Sequence, residues 1–194
     1  MKKIQLLDGG MGRELKKKVK YFDPFLWAAG ALISDPDYVI DVHKSFINAG
    51  AQIITTNNYT VVPYVLEESN IMNQFSSLTK KAGLLAKEAV KQSGKHIKIA
   101  GCLPPLKLTY RPDLVEKDTK KAISIYKRII DYLDPYTNLF LAESISSLQE
   151  LNYIIEATKT CTKPIYVAFL LNDEKPTQLL DNTNVTDLIP IINK

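Results

Sequence analysis

Residues 35–57 read DPDYVIDVHKSFINAGAQIITTN, and this stretch contains the clearest helix signals of the chain, followed by a strand. Pro36 suits the first position of a helix, and the preceding Asp35 can cap the free N–H groups there. Apolar side chains then recur on one helical face as far as Gly50, which can adopt the left-handed conformation that ends a helix. The short run 51–57 is apolar and ends on polar residues, which is typical of a buried parallel strand. The stretch therefore predicts one helix–strand unit of an α/β protein.

The same alternation of apolar strands and amphipathic helices runs along the whole chain. Strands are predicted at residues 4–7, 51–57, 96–101, 138–143 and 164–169. After the helix that begins at Pro36, further helices are predicted at 78–92, 114–133, 147–158 and 185–193. Repeated units of this kind imply parallel strands joined by right-handed crossovers. An open doubly wound sheet and a (β/α) barrel both fit this pattern, and periodicity alone does not separate them.

Composition is that of an ordinary globular protein and excludes several function classes. The 194 residues are 45% hydrophobic and 24% charged, with a net charge of +4, which predicts a single domain over 1–194. The lysines are spread out and not interleaved with aromatic residues, so no nucleic-acid partner is expected. No apolar run approaches the roughly 18 residues that cross a bilayer. Two distant cysteines, Cys102 and Cys161, indicate no disulfide framework, so a reducing cytoplasm is expected.

Five motifs, in order along the chain, resemble those of the homocysteine S-methyltransferase family. They are Leu6–Leu15 with its Asp8-Gly9-Gly10 turn, Leu26–Ala29 with Trp27, Val42-His43 followed by Ala49–Tyr59, Ala100–Pro105 followed by Tyr110–Asp113, and Leu141–Ser144. The family fold is a (β/α)8 barrel, so the resemblance favours a barrel over an open sheet. It implies a single incomplete barrel domain over 1–194, truncated to about the first five βα units.

The resemblance also implies a reaction, a cofactor and partners. The family transfers a methyl group to the sulfur of homocysteine, in this branch from S-methylmethionine or a similar sulfonium donor. Three cysteine thiolates hold a zinc ion that keeps the homocysteine sulfur as a nucleophilic thiolate. Those cysteines come late in the family, and Cys102 and Cys161 match neither position. We therefore expect no metal ligands and no catalytic residues in this chain, no tight zinc binding, and little activity alone.

Substrate-binding residues are implied at the carboxyl ends of the strands. By resemblance, the turn after the first strand contacts the amino-acid part of homocysteine, Glu143 binds its ammonium group, and Trp27 shapes the pocket for the cationic donor. The expected binding residues are Asp8, Gly9, Gly10, Trp27, Thr56, Asn57 and Glu143. A turn, cap or core role is the alternative for each of them.

Other candidate residues have simpler interpretations. His43, which lies either opposite the helix face of Val39 and Phe46 or at the border of that face, is expected to be structural, and His96 is expected to be a solvated loop residue. Cys102 is expected to be a packed thiol. Tyr110 and Arg111 lie in a long loop that either covers a ligand or is simply surface.

Two further functions stay open at this point. The chain could be a non-catalytic amino-acid-binding remnant, or a half-barrel that a partner chain completes. It could also resemble a related thiol methyltransferase that uses a betaine or folate donor. Five units would leave two open sheet edges, which favour self-association.

Overall fold

A parallel ladder of four strands forms the centre of the fold. The computed structural model describes residues 4–192, and in that range the strands are β1 (Ile53–Thr55), β2 (Lys98–Leu103), β3 (Leu139–Ile145) and β4 (Ile165–Phe169). They lie side by side in chain order, and each neighbouring pair is parallel. A doubly wound sheet reverses its strand order at a switch point, whereas successive strands of a barrel do not. The observed order therefore agrees with the predicted barrel type.

Helices connect the strands and pack against them. Within residues 4–192 they are α1 (Met11–Lys16), α2 (Gly30–Ser34), α3 (Pro36–Ala49), α4 (Pro63–Glu68), α5 (Phe75–Ser93), α6 (Thr119–Leu133), α7 (Leu148–Thr158) and α8 (Val185–Ile192). Short 3-10 turns occur at Trp27–Ala29, Met72–Gln74, Pro112–Leu114 and Asp134–Tyr136. In this part of the chain no helix has the length and apolar character needed to span a membrane.

Local signals place the two ends of α3 as predicted. The helix begins at Pro36 and ends before Gly50, which has a φ of 111°. Asp35, however, does not cap it: the carboxylate accepts a hydrogen bond of 2.5 Å from the Ser34 hydroxyl instead. The prediction that Asp35 caps the helix is therefore wrong, and Pro36 with its fixed φ defines the start.

The other helices begin within a few residues of the predicted positions, and a capping side chain explains the shift of α6. α6 begins at Thr119, later than the predicted residue 114, because the Asp118 carboxylate accepts a 3.0 Å hydrogen bond from the N–H of Lys121. α5 begins at Phe75, slightly earlier than predicted. α7 follows Ser147, whose hydroxyl accepts from the N–H of Glu150 at 3.2 Å. The predicted final residue of α8, residue 193, lies outside the described residues.

The first predicted strand, at residues 4–7, forms only a single parallel bridge, between Leu7 and Ile53. Its backbone does follow β1: the N–H of Gln52 donates to the carbonyl of Leu6 at 2.9 Å. It has β1 on one side and no strand on the other within residues 4–192, and Ile4 is 82% exposed. The five predicted strands thus appear as four strands and one bridged segment.

The main core lies between the sheet and the helices that pack on it. Phe75, Tyr126, Leu133 and Phe140 are fully buried there. The Tyr126 hydroxyl donates to the carbonyl of Pro104 at 3.0 Å, so its polar atom is paired inside the core. Strand β4 differs, because alternate side chains along it are exposed. It forms the far edge of the described sheet, and one of its faces has no covering layer in this part of the chain.

His43 is fully buried on the inner face of α3, as a structural residue and not at the border of the face. Neither ring nitrogen has a hydrogen-bond partner among the described residues. Burial lowers the pKa of His43 from 6.5 to about 3, because the charged imidazolium would lose its hydration. The ring is therefore neutral at physiological pH and acts as an apolar filler.

This burial predicts a pH-dependent loss of stability. Below pH 6.5 the unfolded chain takes up a proton at His43, whereas the folded chain does so only near pH 3, so stability falls as the pH is lowered between these values. We expect the contribution of His43 to the free energy of unfolding to fall by about 2 kcal/mol from pH 7 to pH 5. Denaturant titrations of wild type and His43→Leu at both pH values measure it as the difference between their pH dependences.

The matched control is His96→Leu, which removes the only other histidine of the chain from an exposed position. It should keep the full wild-type pH dependence. If His43→Leu also keeps it, the imidazole is not buried in its neutral form.

Candidate functional site

A cavity of about 600 Å³ opens at the carboxyl ends of the strands. All seven residues predicted to bind substrate line it, together with the first turn of α1 and parts of β3 and β4. Ligands bind at this end of parallel α/β folds because loops from several strands converge there. The lining residues that matter below are Asp8, Gly9, Gly10, Gly12, Arg13, Trp27, Thr55, Thr56, Asn57, Tyr59, Tyr110, Glu143, Ser144 and Ala168.

Asp8 is fixed to the end of β1 by Thr55. The Thr55 N–H donates to one carboxylate oxygen at 2.8 Å, and the Thr55 hydroxyl donates to the other at 3.1 Å. These bonds favour the charged carboxylate, but burial outweighs them and raises the pKa of Asp8 to about 6. The side chain is therefore held in one orientation while its charge lacks a compensating cation.

Glu143 supplies a second carboxylate to the same cavity. Burial, and then the negative charge of Asp8, raise the pKa of Glu143 to about 7. Its hydrogen-bond partner is the Cys102 thiol, which donates to Oε2 at 3.7 Å. Burial also raises the pKa of Cys102 well above its usual value, so the residue is a packed, protonated thiol, as expected, and not a nucleophile. Two carboxylates thus share a site that would accept a cation.

An irregularity in β3 places Ser144 beside Glu143 in the cavity, whereas Glu143 follows the regular alternation from Leu141, which also lines the cavity. Successive residues of a regular strand point to opposite faces, yet Glu143 and Ser144 both line the cavity. The register with β4 shifts between Ala142 and Ile145, and Ser144 has a φ of 56°. Such a bulge turns a side chain out of the alternating pattern, which is why bulges occur beside functional sites.

Thr56 and Asn57 line the cavity but use their polar atoms internally. The Thr56 hydroxyl donates to the Asn58 side chain at 2.6 Å and accepts from the N–H of Cys102 at 2.9 Å. The Asn57 amide donates to the carbonyl of Ala28 at 3.0 Å. Both side chains are 3% exposed. They shape the cavity floor and tie the turn around Ala28 to β1.

Trp27 forms one wall in a strained backbone conformation. Its φ is 51°, in the left-handed region that costs a bulky residue roughly 1–3 kcal/mol. The indole packs edge-to-face on Phe22, with ring centroids 5.0 Å apart, and lies directly on Gly12. Tyr110 and Ser144, which also line the cavity, have φ values of 64° and 56°. Strain of this kind concentrates at functional sites.

The cavity also contains polar residues outside the predicted set, among them Arg13, Thr55 and Tyr59. Thr55 lies within the predicted strand, and nothing in the neighbouring sequence indicates that it contacts Asp8, 47 residues away. Arg13 lies one helical turn beyond Gly10, a spacing that could have indicated it. The Tyr59 hydroxyl shares a 2.7 Å hydrogen bond with Thr109.

Of the loop residues, Tyr110 reaches the cavity and Arg111 does not. Arg111 pairs with Asp113 through two hydrogen bonds of 2.8 and 2.6 Å. Cys161, half-buried, lies away from the cavity near the carbonyl of Lys163. Among residues 4–192, no three His, Cys, Asp or Glu side chains come together in a way that could hold a metal ion. The residues present therefore do not fit the zinc site of the resembled family.

The contact between Gly12 and Trp27 predicts that Gly12→Ala changes the environment of the indole. A Cβ on Gly12 would lie 2.0 Å from the indole Nε1, so Gly12→Ala must displace the ring. Because Trp27 is the only tryptophan, its fluorescence reports this directly. We expect a red-shifted emission and stronger acrylamide quenching. Gly10→Ala is the matched control, since its Cβ would meet Arg13 atoms only at 3.8 Å. Unchanged emission in Gly12→Ala would contradict the packing.

Comparison with known proteins assigns the chain to a family. The sequence model of the homocysteine S-methyltransferase family matches residues 5–194. The homocysteine S-methyltransferase of Escherichia coli strain K12 is 25% identical over 205 residues, which cover 97% of this chain and 65% of that protein. Homocysteine S-methyltransferase 1 of Brassica oleracea var. italica is 33% identical over 85 residues, which cover 43% of this chain and 26% of the relative. The chain therefore spans less than two thirds of these relatives.

Solved structures agree on the fold. The metallated form of the homocysteine methyltransferase MmuM from Escherichia coli superposes with a TM-score of 0.86 at 21% identity, covering 99% of this chain and 71% of that one. The apo form of the same enzyme superposes with a TM-score of 0.74. With the family match over residues 5–194, these findings show that the chain belongs to the homocysteine S-methyltransferase family.

Proposed function

We propose that this chain carries the amino-acid-binding half of a methyltransferase that moves a methyl group from a sulfonium donor, such as S-methylmethionine, to the sulfur of homocysteine. The observation that carries the proposal is the pair of carboxylates, Asp8 and Glu143, which line one cavity while neither forms an ion pair with any described residue. The family match and the name of the Escherichia coli relative support homocysteine as the substrate.

The carboxylate pair is suited to the α-ammonium group of an amino acid. A cation that returned the pKa of Glu143 from about 7 to its usual 4.5 would gain about 3 kcal/mol from that residue. Charge-assisted hydrogen bonds to both carboxylates would offset part of the cost of removing the ammonium group from water. Thr55 keeps Asp8 in place for this contact, and the Gly9-Gly10 turn leaves room for a close approach by the ligand backbone.

Trp27 is proposed to form the donor side of the pocket. Its indole borders the cavity and is 39% exposed, so a ring face is available to a cationic sulfur. In the overall reaction, the S–CH3 bond of the sulfonium donor breaks and its electron pair stays on the donor sulfur. The homocysteine thiolate forms the new S–CH3 bond, and the thiol proton goes to solvent. The donor leaves as a neutral thioether, and homocysteine becomes methionine.

Sulfur activation is proposed to lie outside these 194 residues. Zinc, where the family binds it, would stabilise the homocysteine sulfur as a thiolate at neutral pH. Cys102 is a buried thiol beside Glu143, and Cys161 lies elsewhere, so neither is proposed as a ligand. The chain alone is proposed to bind the amino acid without transferring the methyl group.

Removing one carboxylate should weaken amino-acid binding. We expect Glu143→Gln to bind L-homocysteine at least about tenfold more weakly than wild type, because one charge-assisted bond to the ammonium group is lost. Calorimetric titration at pH 8 under reducing conditions measures this. Asp113→Asn, which removes a carboxylate outside the cavity, is the matched control and should bind as wild type does.

The same titrations at pH 6 and pH 8 test the charge state. Glu143 must be ionised to bind a cation, and the pKa of Glu143 in the empty site is about 7, so wild-type affinity should fall as the pH drops below 7. Glu143→Gln should lose most of this dependence. Equal affinity of wild type and Glu143→Gln at both pH values would contradict the proposed function.

Zinc content tests the proposed absence of the metal site. After incubation with zinc and desalting, we expect far less than one zinc ion per chain, and no methionine formed from homocysteine and S-methylmethionine. Elemental analysis and product assay measure these. Cys102→Ser and Cys161→Ser serve as controls and should not alter the zinc content. Stoichiometric zinc that either substitution abolishes would show that the chain has a metal site of its own.

A further inference from the structure

The candidate cavity contains a cation at its rim. Arg13, in the first turn of α1, lines the cavity that Asp8 and Glu143 also line. Its Cγ and Cδ atoms lie 3.8 Å from the position that a Cβ on Gly10 would occupy, so the aliphatic stem crosses the face of that glycine. The side chain is exposed, whereas the two carboxylates are half-buried. The negative charges of Asp8 and Glu143 therefore lie deeper in the cavity, and the positive charge of Arg13 lies at its mouth.

The guanidinium of Arg13 has no partner among the described residues. It forms no salt bridge or side-chain hydrogen bond within 4–192, although Lys17 on the next turn pairs with Glu14 at 2.6 Å. Neither Asp8 nor Glu143 lies within ion-pair distance of it. A guanidinium presents five N–H donors in a planar fork that matches a carboxylate, so unused donors beside a cavity favour an anionic ligand group.

We propose that Arg13 binds the α-carboxylate of the amino-acid substrate, opposite the ammonium group held by Asp8 and Glu143. The inference rests on the proposed function and adds to it a determinant of specificity. An α-amino acid is a zwitterion whose two charges are separated by two bonds from nitrogen to carboxyl carbon. A cavity with both signs of charge complements it better than it complements a simple amine. Arg13 thus selects amino acids over decarboxylated thiols.

A pair of ligands that differ only in the carboxylate tests this assignment. L-homocysteine and 3-amino-1-propanethiol carry the same ammonium and thiol groups, and only the first has a carboxylate. Wild type, Arg13→Gln and Arg13→Lys are titrated with each by calorimetry under reducing conditions. Arg13→Gln should weaken homocysteine binding by about tenfold and leave the amine unaffected, because only the carboxylate contact is lost. Arg13→Lys should lose less affinity for homocysteine, since lysine keeps the positive charge but lacks the planar set of N–H donors.

Lys16→Gln is the matched control, because it removes the same charge from an exposed position of the same helix that does not line the cavity. It should bind both ligands as wild type does. Because Arg13 is exposed, its variants should fold, and unchanged Trp27 emission verifies this.

Several outcomes overturn the inference in distinguishable ways. Equal binding of homocysteine by wild type and Arg13→Gln overturns it and leaves the proposed function intact. Equal weakening of both ligands in Arg13→Gln also overturns it, because the effect would then not depend on the carboxylate. Wild type that binds neither ligand overturns the proposed function and this inference together.

Discussion

Two hydrogen bonds from Thr55 to Asp8 join the start of the chain to the sheet, and the site depends on them. The segment before Asp8 makes only one strand bridge, and its backbone hydrogen bonds with Gln52 and Ile53 extend no further along β1 than Asp8. The Gly9-Gly10 turn and α1 come directly after Asp8 in the chain, and Gly12 in α1 packs on Trp27, which forms a wall of the cavity. Anchoring this carboxylate therefore places one whole side of the cavity. The cost is a buried charge, and the raised pKa of Asp8 records it.

Prediction from sequence succeeded where the signal was local and failed where a distant partner decided the outcome. Pro36 and Gly50 delimit α3 because each restricts or permits a backbone conformation by itself. α6 begins later than its apolar spacing predicts, because the capping carboxylate of Asp118 sets the start of the helix. The composition of residues 4–7 predicts a strand, yet the segment forms a single bridge with β1, because composition does not reveal how much of a segment pairs with a distant neighbour.

In the candidate site too, the sequence indicates some residues, whereas the roles of others depend on distant partners. Asp8 and Glu143 could be predicted because polar residues at the carboxyl ends of parallel strands converge. Thr56 and Asn57 lie there too, but only the structure shows that their polar atoms are used within the protein. The contribution of Thr55 could not be predicted, because in sequence it is one more residue of the buried strand.

The bulge in β3 has a consequence for how this scaffold can diverge. At the register shift, Glu143 and Ser144 leave the regular pairing of β3 with β4, while Ala142 and Ile145 on either side keep it. A residue outside the ladder can change its chemistry without disturbing the strand pairing that stabilises the sheet. Selection can therefore act on the ligand preference of this position almost independently of selection on the fold.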